Sequence, residues 1–311
     1  MNFRKLWILA LPVFLLTACQ KNLEDSFLKK EGSSTSMNSS APTFSYGASI
    51  FFLKPSGSTY NILPKVKPTV PGVFKSIPKG LSLDSVTGRI NINRSLSGLK
   101  YKIYFTGPGS VLLDSTTLVI SGIDYADSIY VLNNTPNTYD SAFPIYNANK
   151  NLALPCGLGD DDNENLCVFD ETDLNNDGDD DIAGVNQQKL LVNEKTGIID
   201  VEASFRAGIF GSSTPANGTR KDFKFYYRLN DASGRALNNI TVRVIYYNRK
   251  SAVPASLIRQ INERKRVDQR VNLSPLPGFT MLNIEESRYV MDFASYAKPR
   301  RPPIIVIIGQ Q

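Results

Sequence analysis

The segment that most constrains the fold occurs twice. Asp84-Ser85-Val86-Thr87-Gly88-Arg89-Ile90 and Asn193-Glu194-Lys195-Thr196-Gly197-Ile198-Ile199 carry Asx, Thr, Gly and Ile at one spacing. That spacing encodes a tight hairpin. The Asp84 side chain can fold back onto the amides ahead of it, and Gly88 supplies a positive φ. Leu81, Leu83 and Ile90 then return to a core. The same hairpin recurring about a hundred residues later implies two related sandwich domains.

The rest of the chain agrees with a β protein. Tyr, Phe, Val, Ile and Thr are plentiful, Gly and Pro recur, and long amphipathic helices are scarce. Predicted strands in the first region are Ser49–Leu53, Gly72–Ser76, Arg89–Ile92, Leu99–Phe105 and Thr117–Ile120. In the fourth, Tyr101, Ile103 and Phe105 fall on one face, and Lys100, Lys102 and Tyr104 on the other. The second region offers Lys189–Val192, Ile198–Phe205, Phe223–Leu229 and Ile240–Tyr247, with Ile304–Ile308 as a closing last strand. Pro254–Val267 is the one helix candidate, with Leu257, Ile258 and Ile261 as its apolar stripe.

The first hairpin has a wider likeness. Pro78-Lys79-Gly80-Leu81-Ser82-Leu83-Asp84, continuing through Thr87-Gly88 to Ile90, resembles the signature of bacterial Ig-like and cadherin-like sandwich domains. It departs from that signature after the last strand, where Asn91-Ile92-Asn93 stands in place of Gly-Thr-Pro. The resemblance implies two Ig/cadherin-like β-sandwich domains in a mainly β protein.

The N-terminus carries an address. Arg4 and Lys5 precede a short apolar run, Leu6 to Thr17, that is too brief to span a bilayer comfortably. Leu16-Thr17-Ala18-Cys19 resembles the bacterial lipobox, which implies cleavage before Cys19 and lipidation of that cysteine. Acyl chains contribute about 0.8 kcal/mol per buried CH₂, so two or three would hold a soluble domain on a membrane. Gln20-Lys21-Asn22-Leu23-Glu24-Asp25 resembles the export signal of Bacteroidota surface lipoproteins, with its acids two positions late. The resemblance implies an outer-membrane lipoprotein, facing outward in preference to the periplasm. Residues 20–42, with Gly32-Ser33-Ser34-Thr35-Ser36, read as a flexible polar stalk. No later segment is long and apolar enough for a transmembrane helix.

In an oxidising compartment the two remaining cysteines, Cys156 and Cys167, are expected to pair. They lie in an acidic insert. From Asn151 to Gln188 there are nine Asp and two Glu but no Lys or Arg, a charge of −11. The chain after Ala18 carries +4, so everything outside the insert carries +15. Within the insert, Asp173, Asn175, Asp177, Asp179 and Asp181 alternate, with Gly178 at the bend. Calcium takes about six to eight oxygens, and a curling chain delivers them at such alternate positions. The run resembles the loops of EF-hands, dockerins and, most closely, thrombospondin type-3 repeats. It lacks the EF-hand acid at position 12, where Gly184 stands. Asp170, Glu171 or the run Asp160-Asp161-Asp162 could supply it. Structural Ca²⁺ is the expected cofactor.

Much chemistry is excluded. The chain has no histidine, so Ser-His-Asp triads, His-ligated zinc and His acid/base catalysis are out. No P-loop or dinucleotide fingerprint is present. The expectation is therefore a protein that is not an enzyme: a surface adhesion or ligand-binding module, glycan among the ligands. The alternatives are a periplasm-facing structural partner of an outer-membrane complex, and a polysaccharide-acting enzyme working through Asp and Glu. Arg259, Arg264, Lys265, Arg266 and Arg270 crowd the helix candidate, either as a solvated face balancing the acidic insert or as a surface for acidic glycans. Nucleic acid is not an expected partner. Tyr226, Tyr227, Tyr246 and Tyr247 would stack on sugars if exposed. Ser85, Ser115, Ser128 and Ser141 sit in Asp-Ser triplets, closed by Val86, Thr116, Ile129 and Ala142, that resemble the O-glycosylation motif of Bacteroidota. The expected organisation is a signal peptide over 1–18, a lipid-anchored stalk over 19–42 and a first sandwich over 43–125. A connector with disulfide and calcium-type loop follows over 126–188, and a second sandwich over 189–311.

Overall fold

The computed structural model describes residues 44–55, 59–110, 112–132, 140–157, 167–272 and 302–309. The expected signal peptide, Cys19 and the expected stalk lie outside them. The protein is mainly β. In chain order the first strands are β1 (Ile50–Phe51), β2 (Asn61–Ile62), β3 (Val73–Ile77), β4 (Ser82–Leu83), β5 (Ile90–Asn91), β6 (Leu99–Thr106) and β7 (Leu112–Ile120). They form two sheets, ordered β1-β7-β6-β3 and β2-β5-β4, with β1 parallel to β7. Tyr104 on the other face of β6 is buried too, but Tyr101, Ile103 and Phe105 form the shared face read from the sequence. They share one core with Phe44, Phe74 and Leu118 from the first sheet's side and Ile90 from β5.

The chain continues through β8 (Ile123–Tyr125), β9 (Ser128–Val131), β10 (Ser141–Ala142), β11 (Pro144–Tyr146), β12 (Val168–Glu171), β13 (Leu191–Val192) and β14 (Ile199–Asp200). Then come α1 (Val201–Arg206), β15 (Arg220–Arg228), β16 (Asn238–Tyr247), α2 (Ala255–Asn272) and β17 (Ile304–Ile308). The sheet orders are β12-β15-β16-β17-β9 and β10-β14-β13, with β8 and β11 paired apart. This repeats the first arrangement, with β17 inserted between β16 and β9. A second core joins Phe169, Phe223, Phe225, Val242 and Val244 to Val192 and Ile199 of the small sheet.

The hairpins match atom for atom. Asp84 Oδ1 accepts the amides of Val86 and Thr87, each at 2.9 Å. Asn193 Oδ1 accepts those of Lys195 at 3.0 Å and Thr196 at 2.9 Å. Gly88 and Gly197 both hold positive φ, 71° and 67°. A tyrosine hydroxyl donates to each glycine carbonyl, Tyr46 to Gly88 at 2.6 Å and Tyr125 to Gly197 at 2.5 Å. A Cβ on either glycine would strike a phenylalanine ring, Phe74 or Phe169. Turn chemistry and core packing thus specify one another.

Two sequence expectations fail here. The strand predicted over Ile198–Phe205 ends at Asp200, whose side chain caps α1 by accepting the Ala203 amide at 2.8 Å. Ile304–Ile308 is a strand, but it lies inside the sheet and runs parallel to both β16 and β9. Its unbroken apolar run has that cause: Ile305 and Ile307 face the second core, while Ile304, Val306 and Ile308 meet Val253, Leu257 and Ile261 of the α2 segment.

The two copies are joined by part-buried polar contacts. The Tyr227 hydroxyl accepts the Ile123 amide at 3.1 Å and lies 3.2 Å from Ser97 Oγ. Ser97 Oγ also donates to Asn238 at 2.9 Å, and Ser121 Oγ to Asp231 at 2.7 Å. Gly98, at φ 71°, leaves no room for a side chain, because a Cβ there would sit 2.1 Å from the Ile123 carbonyl oxygen. Ala236, from the second copy, packs into the first core.

Candidate functional site

The acidic loop leaves β12 and is built on its own backbone. Asp173 Oδ1 accepts the amides of Asn176 at 2.5 Å and Asp177 at 3.2 Å, and its Oδ2 that of Gly178 at 2.8 Å. These N–H groups, Gly178's first, and the nearby Arg228 hold the Asp173 carboxyl below the usual range against a smaller opposing effect of burial. Its contribution to the loop is therefore present above the unfolded carboxyl range and is lost as pH falls through the lowered value. Asp181 Oδ2 accepts the amides of Leu174 at 2.8 Å and Asn175 at 3.2 Å. The Asn175 amide nitrogen donates both to Asp177 Oδ2, at 2.9 Å, and to Asp181 Oδ1, at 3.3 Å. Asp179 donates its backbone amide to Asp177 Oδ1 at 3.0 Å. Thr172 Oγ1 donates to Asp180.

The loop therefore brings Asn175, Asp177 and Asp181 together, while Asp173 turns onto backbone amides. Among the described residues, no three His, Cys, Asp or Glu side chains form a ready metal cage. Two of the acids considered for the missing ligand have other partners. Asp170 is buried and accepts the amides of Val185 at 2.6 Å and Asn186 at 2.9 Å. Glu171 receives Arg228 Nε at 2.8 Å. The third candidate, Asp160-Asp161-Asp162, lies outside the described residues.

Arg228 is the residue that sequence reading overlooked. Projecting from β15, it also donates to the carbonyls of Asp173 at 3.1 Å and Leu174 at 3.2 Å, and so fixes the loop's first turn. No local pattern marks it, because Glu171 and the loop carbonyls it holds lie more than fifty residues away, while the Arg235 carbonyl, at 3.2 Å, is its partner nearer in sequence. Cys156 and Cys167 are joined in a disulfide, with Cα atoms 5.0 Å apart, and both are buried in the second core.

Arg264 departs from the reading of the basic helix as a solvated face. Arg264 is nearly buried and pairs with Asp127 at 2.9 Å and Asp124 at 2.7 Å, neither of them in the acidic insert. Arg259 is exposed, and the side chains of Lys265, Arg266 and Arg270 lie outside the described set. The aromatic platform is absent from these positions. Tyr227, Tyr246 and Tyr247 are buried, with Tyr226 half-buried. Of the four serines in Asp-Ser triplets, Ser85 is exposed in the first hairpin. Ser115, Ser128 and Ser141 are half-buried in β7, β9 and β10.

No protein-family model matches the chain, and a search of curated proteins finds no similar one.

Proposed function

We propose that the protein is a lipid-anchored, non-catalytic outer-membrane protein that carries a ligand-binding β-sandwich unit on the cell surface. The observation that carries this reading is the lipobox-like Leu16-Thr17-Ala18-Cys19, followed by a polar stalk that leads into a β protein. The strand order adds to it. With β1–β7 lettered A–G in chain order, the sheets run B-E-D and C-F-G with A at the G edge, an order similar to that of Ig-like sandwiches, which commonly serve as recognition modules. Its ligand is a glycan or surface protein, and its membrane contact is the lipid on Cys19. Protease added to intact cells should cut the protein while a periplasmic control survives. Survival alongside a cut surface protein would move it to the periplasmic side, as an accessory of an outer-membrane complex.

Calcium in the Asp173–Asp181 loop belongs to the same reading. Asn175, Asp177, Asp181, Asp179 and Asp173 would hold it. The Asn175 amide nitrogen bridges Asp177 and Asp181 while its Oδ1 accepts the Asp177 backbone amide at 2.9 Å, so the three side chains already share one space. The ion would neutralise a crowded negative loop. Calcium at about ten times its Kd should raise stability by about 1.4 kcal/mol, read as a higher Tm. An unchanged Tm on chelation, with no metal in the purified protein, would remove calcium from the account.

A further inference from the structure

The duplicated hairpin makes each copy a control for the other. The match continues past the turn. Asn91 Oδ1 accepts the Arg94 amide at 3.0 Å, and Ser95 Oγ donates to the Asn91 carbonyl at 2.7 Å while accepting the Ser82 amide at 3.0 Å. In the second copy Asp200 Oδ1 accepts the Ala203 amide at 2.8 Å. Ser204 Oγ donates to the Asp200 carbonyl at 2.5 Å and accepts the Leu191 amide at 2.8 Å. The fold therefore requires Asx and Ser at these points. It does not require the outward side chains between them, and there the copies diverge.

Where the second copy has Leu191, Ile198 and Ala203, the first has Ser82, Arg89 and Arg94. Ser82 and Asn61 both pair with Asn91 across the small sheet, so the three make a row of neutral hydrogen-bonding side chains on its outer face. With Asp84, Arg89 and Arg94 they line a groove of about 430 Å³. Asp84 Oδ1 is engaged by the turn amides, and Arg89 stands 3.9 Å from Asp84 Oδ2. Among the described residues the exposed Arg94 guanidinium has no ion pair. The groove thus holds positive charge beyond what its one carboxylate offsets.

We propose that this groove binds an acidic polysaccharide. The two guanidinium groups would take its carboxylate or sulfate, and Asn61, Asn91 and Ser82 its hydroxyls. The inference rests on the surface ligand-binding reading and names its ligand class. The test uses the full lipidated protein, extracted from membranes in detergent, against polygalacturonate, heparin and dextran. The variant R89I/R94A copies Ile198 and Ala203, residues that this hairpin already accommodates; R94A alone is the fallback should the pair fail to fold. Binding to polygalacturonate or heparin is expected, and the preferred polymer distinguishes a carboxylate from a sulfate ligand. The variant should bind roughly tenfold or more weakly at unchanged Tm. Equal binding by variant and wild type, equal binding of dextran, or no binding to either acidic polymer would overturn the groove. A neutral glycan or protein ligand found instead would leave the surface-binding reading standing. Failure of the protease experiment on cells would remove that reading without touching binding by the purified protein.

Discussion

Replacing Arg264 with methionine should lower the stability of the protein by about 3–5 kcal/mol. The guanidinium reaches Asp127 Oδ1 at 2.9 Å and Asp124 Oδ2 at 2.7 Å, and the Asp127 side chain is only 1 % exposed. The same Asp127 oxygen accepts the Ile304 amide at 2.9 Å, at the start of β17. Losing the arginine takes a close counter-charge from a buried carboxylate where α2, β17 and the β8–β9 segment meet. Such a penalty exceeds the transfer gain of the added apolar side chain, because desolvated charge is costlier than lost packing. Urea unfolding should show a lower midpoint at an unchanged slope. Adding Asp127→Asn should recover part of the loss, since the two effects share one contact. A loss below about 1 kcal/mol would mean that the ion pair is solvated and interchangeable with surface charge.

Phe169→Ala should cost about 3–5 kcal/mol, the range for truncating a fully buried aromatic. Phe169 has no exposed surface, stacks on Tyr227 at 6.1 Å and packs against Gly197 of the second hairpin. Phe74→Ala makes the equivalent change in the first copy, where Phe74 lies 4.8 Å from Phe105 and against Gly88. The joint between the copies is part-buried and hydrogen-bonded from Ser97 to Tyr227 and Asn238, with Ala236 of the second copy in the first core. Either substitution should therefore move one shared unfolding transition. Two resolved transitions, one shifted and one unmoved, would show that the copies unfold separately.

The hairpins were legible because their information is local. Asp84, Thr87 and Gly88 fix a turn by contacts within a few residues, and Asn193, Thr196 and Gly197 repeat them. The alternation in β6 was legible for the same reason. What sequence could not supply was contact at long range. Nothing near Ile304–Ile308 says that β9 will pair on its far side, although its apolarity on both faces was a usable sign. The α1 helix went unread because it is one short turn after a strand, although Glu202, Ala203 and Arg206 favour a helix and Asp200 caps it. Arg264 read as surface charge and Arg228 went unread, yet each is spent on a carboxylate distant in the chain. In the acidic loop the spacing of Asp173, Asn175, Asp177 and Asp181 was plain. That Asp173 would turn onto backbone amides was not, since this depends on the loop's first turn being held by Arg228. The groove was overlooked because one hairpin alone does not show which of its polar residues the fold can do without.

The lipid anchor is the claim on which the cellular reading stands, and one measurement addresses it directly. The protein is purified from membranes of the native host, digested, and its N-terminal peptide weighed by mass spectrometry. The account predicts a peptide that begins at Cys19 and carries the added mass of two or three acyl chains. A peptide beginning elsewhere, or an unmodified Cys19, would contradict it.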